Sequence, residues 1–115
     1  MANRTDPTSF LPLHPLEFRI LMALLEGPSY GTSIVRSIEE REAAGPRLYP
    51  ANLYRRIRDL LGRGLLEESP PPEDADPRRT YVRLTKTGRG VAHAEAERLR
   101  ALVRDAEAHD LLPQG

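Results

Sequence analysis

Apolar residues recur at helical spacing in four stretches of the chain and at alternate positions in one. Over residues 14–26, Leu16, Ile20, Ala23 and Leu24 share one face, and Phe18, Met22 and Leu25 fall roughly opposite at about 100° per residue. Pro15 suits the first turn of a helix and Gly27-Pro28 its stop. A helix apolar nearly all round must be covered on two sides, more than one short domain provides. A second helix is predicted from Ser29, as N-cap, to about Glu42. Its inner stripe is Tyr30, Ile34 and Ile38 with Val35 alongside, and Arg36, Glu39, Glu40 and Arg41 face water. After a Gly-Pro turn over residues 43–48, Pro50 opens a third helix that runs to about Arg63. Its Leu53, Ile57, Leu60 and Leu61 are spaced i, i+4, i+7, i+8, a core-facing stripe, and Gly64 is placed as a left-handed cap.

The period then changes. Residues 65–69 and 80–84 read as two short strands, the second alternating through Tyr81, Val82, Arg83 and Leu84. Pro70-Pro71-Pro72 and a run of acids up to Pro77 form the long tip between them. Thr85 caps a last helix from Lys86 to about Asp110, about 37 Å long at 1.5 Å per residue, with Val91, Leu99, Leu102, Val103 and Ala106 on one stripe. Residues 1–13 are polar and broken by proline, with Phe10, Leu11 and Leu13 as isolated anchors, and read as an arm. Residues 14–84 form the domain, 85–110 the last helix and 111–115 a tail. The predicted class is mainly α, with three helices, a two-stranded wing hairpin and a long C-terminal helix for dimerisation. That is the order of a winged helix-turn-helix.

Composition removes several alternatives. A chain of 115 residues builds one domain with a modest core. The absence of cysteine excludes disulfides, thiolate-held zinc and thiol nucleophiles. Residues 1–9 lack the apolar run of a secretion signal, and no stretch approaches the ~20 apolar residues of a membrane span, so no membrane and a cytoplasmic location are predicted. His14, His93 and His109 are far apart and in no ligand-like spacing, and the glycines form no phosphate-binding loop. No metal, no cofactor and no enzymatic activity are expected.

Formal net charge is zero, 17 basic against 17 acidic side chains, yet the charges are segregated. Residues 47–63 carry Arg47, Arg55, Arg56, Arg58 and Arg63 against Asp59 alone, and residues 67–76 carry five acids, Glu67, Glu68, Glu73, Asp74 and Asp76, without a cation. A basic helix therefore lies beside an acidic loop, and the local field matters more than the total when a phosphate backbone approaches. With the apolar stripe of the third helix inward, Arg55 points outward, Ala51, Asn52, Arg58 and Asp59 share its half, and Tyr54, Arg56 and Arg63 flank it. A small residue for close approach, an amide able to pair with adenine and a guanidinium able to pair with guanine are what a recognition helix needs in the major groove. Tyr54 and Arg56 are placed to reach phosphates on either side, and Arg78 and Arg79 sit where the hairpin tip returns, the part of a wing that meets backbone or minor groove.

Tyr30-Gly31, Pro50-Ala51-Asn52-Leu53-Tyr54, Gly64-Leu65-Leu66, and Arg78-Arg79-Thr80-Tyr81-Val82-Arg83-Leu84-Thr85 followed by Gly88 occur in that order. In these strings, from about Leu16 to Gly88, the chain resembles the PadR family of bacterial transcriptional regulators, in its short form with a single helix after the wing. The resemblance implies a homodimer joined through the last helix and a repressor that responds to a small apolar or aromatic effector. It also implies that Tyr30, Tyr54, Arg78 and Arg79 belong to the DNA-facing surface. Two departures stand out. Tyr49 precedes Pro50 where the family commonly has a small polar cap, and the wing tip is longer, richer in proline and more acidic, so that Glu73, Asp74 and Asp76 hold it away from phosphates.

A dimer is expected without the family too. Phe18, Met22 and Leu25 on the first helix and Leu99, Leu102, Val103 and Ala106 on the last are two apolar surfaces that pairing across a two-fold axis would cover. The two recognition helices would then meet an inverted-repeat operator in double-stranded DNA, with half-sites ~34–36 Å apart. The competing reading of the same residues is a winged-helix module for protein association, its basic helix meeting an acidic partner.

Overall fold

The computed structural model describes residues 6–41 and 50–113. The predicted turn at 43–48, with Arg47, and the cap position Tyr49 lie outside the described residues, as do residues 1–5 and 114–115. The same holds for the side chain of Ala51.

Four α-helices and a small antiparallel sheet make up the described fold: α1 (Pro15–Ala23), β1 (Ser29–Tyr30), α2 (Gly31–Arg41), α3 (Pro50–Gly62), β2 (Leu66–Ser69), β3 (Tyr81–Leu84) and α4 (Lys86–Ala108). Helix α1 starts at a reciprocal cap. The Nδ1 of His14 accepts from the backbone N–H of Leu16 at 3.0 Å, and the Glu17 carboxylate accepts from the backbone N–H of His14 at 2.9 Å. The helix ends at Ala23, earlier than the apolar pattern suggests. Leu24 and Leu25 donate to the carbonyls of Leu21 and Met22, the i→i+3 bonding that tightens a last turn.

The wing is a three-stranded sheet in the order β1-β3-β2, which corrects the two-stranded hairpin expected from sequence. Ser29 and Tyr30, expected as the N-cap and first inner residue of α2, instead pair with Val82 and Tyr81 of β3. Two residues carry no periodicity, so only the distant partner strand defines this element. On the other side of β3 the register is Leu66↔Leu84, Glu67↔Arg83, Glu68↔Val82 and Ser69↔Tyr81.

The core is assembled from one face of each element. Ile20, Leu21 and Leu24 of α1 and its following turn meet Ile34 and Ile38 of α2, Leu53, Ile57 and Leu60 of α3, Leu65 just before β2, and Leu66 and Val82 of the sheet, all buried. Helix α3 stops where Gly64 takes a φ of 77°, and Leu65 donates to the carbonyl of Leu60 at 3.0 Å. Thr85 then joins sheet to helix. Its hydroxyl donates to the carbonyl of Gly64 at 2.7 Å and accepts from the backbone N–H of Gly88 at 2.9 Å. The start of α4 lies so close to the Leu65 backbone that a Cβ on Gly88 would sit 2.0 Å from the Leu65 carbonyl oxygen.

Only the first half of α4 belongs to this core. Val91, Ala92 and Glu95 are buried, Leu99 is half-buried, and Leu102 and Val103 are 52% and 49% exposed. The segment before α1, read as an arm, contains a short 3-10 turn (Pro7–Phe10) capped by the Asp6 carboxylate, with Phe10 and Leu11 packed against the core and Leu13 inside it. Its three apolar residues are spaced for no regular period, which hid a turn fixed by α4.

Candidate nucleic-acid interface

Because the i, i+4, i+7 stripe of α3 is buried, the opposite face is fixed. Asn52, Tyr54, Arg55 and Arg58 are exposed on it. The side chains of Asn52, Arg55 and Arg58 have no hydrogen-bond or ion-pair partner among the described residues. Arg56 does not join them. Its Nη1 lies 3.9 Å from the Glu17 carboxylate, which is buried and also bonded to Arg63, and Arg63 reaches Asp59 at 3.1 Å. Arg56 and Arg63 thus run along the seam between α1 and α3, and the Nε of each is buried without a hydrogen-bond partner among the described residues. The helical spacing places both arginines on the flank of the outer face, and the side chains turn from the flank inward to the buried carboxylate.

Glu17 was not among the residues the sequence singled out. Its signal is the His14-x-x-Glu17 spacing of a reciprocal cap, obscured because histidine is an unusual N-cap. Glu95 was missed too. It lies on the inner stripe of α4 one turn after Val91, and its partner Leu13 is remote in sequence.

Tyr54 is 40% exposed, and its ring lies against the start of α2. A Cβ on Gly31 would stand 2.1 Å from the Tyr54 Cε1, so the ring settles there because residue 31 has no side chain. Between α3 and the sheet runs a cleft of about 340 Å³ with Ile57, Leu61 and Val82 in its floor and Tyr54, Arg58, Glu68 and Thr80 around it.

The wing presents its two arginines differently. Asp76 accepts from the backbone N–H of Arg78 at 2.9 Å and from its guanidinium at 3.2 and 3.3 Å, leaving the Arg78 side chain 89% exposed. The Arg78 backbone N–H, then its side chain, and the charge of Arg79 hold the Asp76 carboxyl below the usual carboxylate range. Arg79 lies with its guanidinium carbon 4.1 Å from the centre of the Tyr30 ring, and its Nε is 4.0 Å from Asp76. Tyr30 is half-buried and packs edge-on against Tyr81, with ring centres 5.3 Å apart. Arg83 and Glu67 pair across β3 and β2 at 3.7 Å. Asp76 therefore engages the wing arginines directly, whereas Glu73 and Asp74 stand exposed at the tip.

The residues expected to join two subunits are split by the structure. Met22 and Leu25 are 41% and 39% exposed, whereas Phe18 packs partly against the core. Leu102 and Val103 are exposed, and Leu99 and Ala106 are half-buried. Among the described residues no cluster of three acidic or histidine side chains is arranged to hold a metal ion, and no helix is long and apolar enough to cross a membrane.

The geometry can be set beside known proteins. A family model described as the Transcriptional regulator PadR-like family matches residues 20–94. Among solved structures, a transcriptional regulator from Clostridium thermocellum has a TM-score of 0.69 at 24% identity, covering 81% of this chain and 87% of that one. A PadR family transcription regulator from Clostridium difficile gives 0.72 at 18% identity, with 84% and 98% covered. Bacillus subtilis PadR, solved in complex with operator DNA, gives 0.61 at 18% identity, with 70% and 46% covered. At these identities the likeness is one of fold. A comparison with curated proteins found none that matches the chain.

Proposed function

The chain belongs to the Transcriptional regulator PadR-like family, and from that premise we propose that it binds DNA sequence-specifically as a homodimeric repressor whose operator affinity is lowered by a small apolar or aromatic ligand. The observation that carries DNA binding is the outer face of α3. Asn52, Arg55 and Arg58 stand exposed there with no partner among the described residues, on a helix whose other face is locked into the core. Unpaired guanidiniums on a rigid helix are ready for base edges and phosphates without first breaking internal ion pairs. Tyr54 flanks this face, and the wing adds the guanidiniums of Arg78 and Arg79. The likeness of the fold to Bacillus subtilis PadR, which was solved with operator DNA, supports the same reading.

The dimer is supported by the second half of α4. Leu102 and Val103 project beyond the core of their own domain, and Met22 and Leu25 form a second exposed apolar surface on α1 and the turn after it. Covering them with a partner removes that area from water, worth about 25 cal/mol per Å². The repressor role and the ligand rest on the family resemblance.

Two experiments test this. Band shift with DNA from upstream of the protein's own reading frame should give a specific complex that weakens steeply with salt. Sedimentation of the protein should give a dimer that Leu102→Asp converts to monomer. No preference for any upstream DNA at low salt would overturn the repressor reading and favour a protein-association module.

A further inference from the structure

We propose that Tyr30 is a positioning residue that serves DNA binding through Arg79, without itself touching the nucleic acid. The inference rests on the DNA-binding reading above and assigns Tyr30 a different part in it from the direct contact that resemblance implies. The Arg79 guanidinium carbon lies 4.1 Å from the centre of the Tyr30 ring, where the ring's negative face attracts a cation. The ring is itself held. It meets Tyr81 edge-on at 5.3 Å and 73°, Tyr30 and Tyr81 are paired across β1 and β3, and Tyr81 is 7% exposed. A chain of ring contacts therefore runs from the buried Tyr81 through Tyr30 to Arg79. The neighbouring Arg78 has no such support. Its side chain is 89% exposed and is held, among the described residues, by Asp76 alone.

The consequence is entropic. A long arginine side chain loses rotamer freedom when it is fixed on a phosphate, and a side chain already stacked in the free protein has less to lose. Asp76, 4.0 Å from the Arg79 Nε, restricts the same side chain from a second direction. What this role needs of Tyr30 is the ring and not the hydroxyl. The dipeptide Ser29-Tyr30 forms a strand at all because it pairs with β3, so the strand that extends the wing also carries the platform for the wing's arginine.

The test is a set of variants read in two ways. In the DNA-free protein, the Arg79 side-chain protons should show ring-current shifts in the wild type and in Tyr30→Phe, and lose them in Tyr30→Leu. On operator DNA, Tyr30→Phe should bind as the wild type, and Tyr30→Leu about 2–5-fold more weakly, the range of an exposed cation–ring contact. In an Arg79→Ala background Tyr30→Leu should have no further effect. A general loss of fold would persist in that background, so the double variant separates positioning from structural damage. The proposal is overturned if Tyr30→Phe is as weak as Tyr30→Leu, if the two variants combine additively, or if Arg79 shows no ring-current shift. A wild-type protein without operator binding overturns the DNA-binding reading and the proposal together. Specific wild-type binding with an additive cycle overturns the proposal alone.

Discussion

The buried carboxylate of Glu95, on α4, accepts the backbone N–H of Leu13 at 2.9 Å and so ties the segment before α1 to the last helix. Leu13 is itself in the core, and the bond is buried. Glu95→Ala should lower the unfolding free energy by about 1–3 kcal/mol, the cost of a buried donor left unpaired. Glu95→Gln keeps an acceptor and should lose less. Urea unfolding of the three proteins checks the order.

The same carboxyl gives a pH dependence. The bond from Arg98, helped by the Leu13 N–H and opposed by burial, holds the Glu95 carboxyl below its ordinary value. The folded state then binds the proton less readily than the unfolded chain, so stability rises with pH through this range. The contribution is complete above the ordinary carboxylate range and is lost as the pH falls through the lowered native value. The stability difference between wild type and Glu95→Gln should therefore shrink on going from neutral pH to about pH 3. Denaturant unfolding at the two pH values measures it.

Two glycines should respond differently to a methyl group. At Gly88 the new Cβ would meet the Leu65 carbonyl oxygen at 2.0 Å, and backbone on both sides must shift. Gly88→Ala is expected to destabilise by about 1–3 kcal/mol or more, as overpacking does. At Gly31 the obstacle is the ring of Tyr54, which can rotate away. Gly31→Ala should cost less stability and more DNA affinity, because Tyr54 leaves its place beside the outer face of α3. Thermal unfolding together with operator titration separates the two.

Neighbouring arginines on α3 make a sharper contrast. Arg58 is exposed, and Arg56 is turned to Glu17. Arg58→Ala should reduce the slope of log affinity against log salt by about 1 with little change in stability. Arg56→Ala should leave that slope as it is and lower stability, since the buried Glu17 loses part of its positive surroundings. Equal salt slopes for wild type and Arg58→Ala would remove Arg58 from the interface.

Much of this was legible in the sequence because α2, α3 and α4 each carry a long apolar stripe, and the alternation at Tyr81, Val82, Arg83 and Leu84 marks β3. The stripe of α3 also fixed by angle which residues face out, which is why Asn52, Arg55 and Arg58 are where the pattern puts them. What the sequence hid depends on partners remote along the chain. β1 is two residues long and exists through β3, the buried Glu17 and Glu95 reach Arg63 and Leu13 far along the chain, and Arg79 is stacked on a ring of β1. Arg56 is the instructive case. A helical wheel places it on a flank, and only the position of Glu17 decides that a long side chain turns inward from there.

The central claim is that the outer face of α3 reads sequence, and the most direct measurement is the binding preference of Arg55→Ala across operators substituted at each base pair. A side chain that pairs with a base should, when removed, flatten the preference at one position in each half-site, a loss of about 1–3 kcal/mol of discrimination, while other positions keep theirs. A preference profile identical to that of the wild type, with affinity unchanged, would contradict the account.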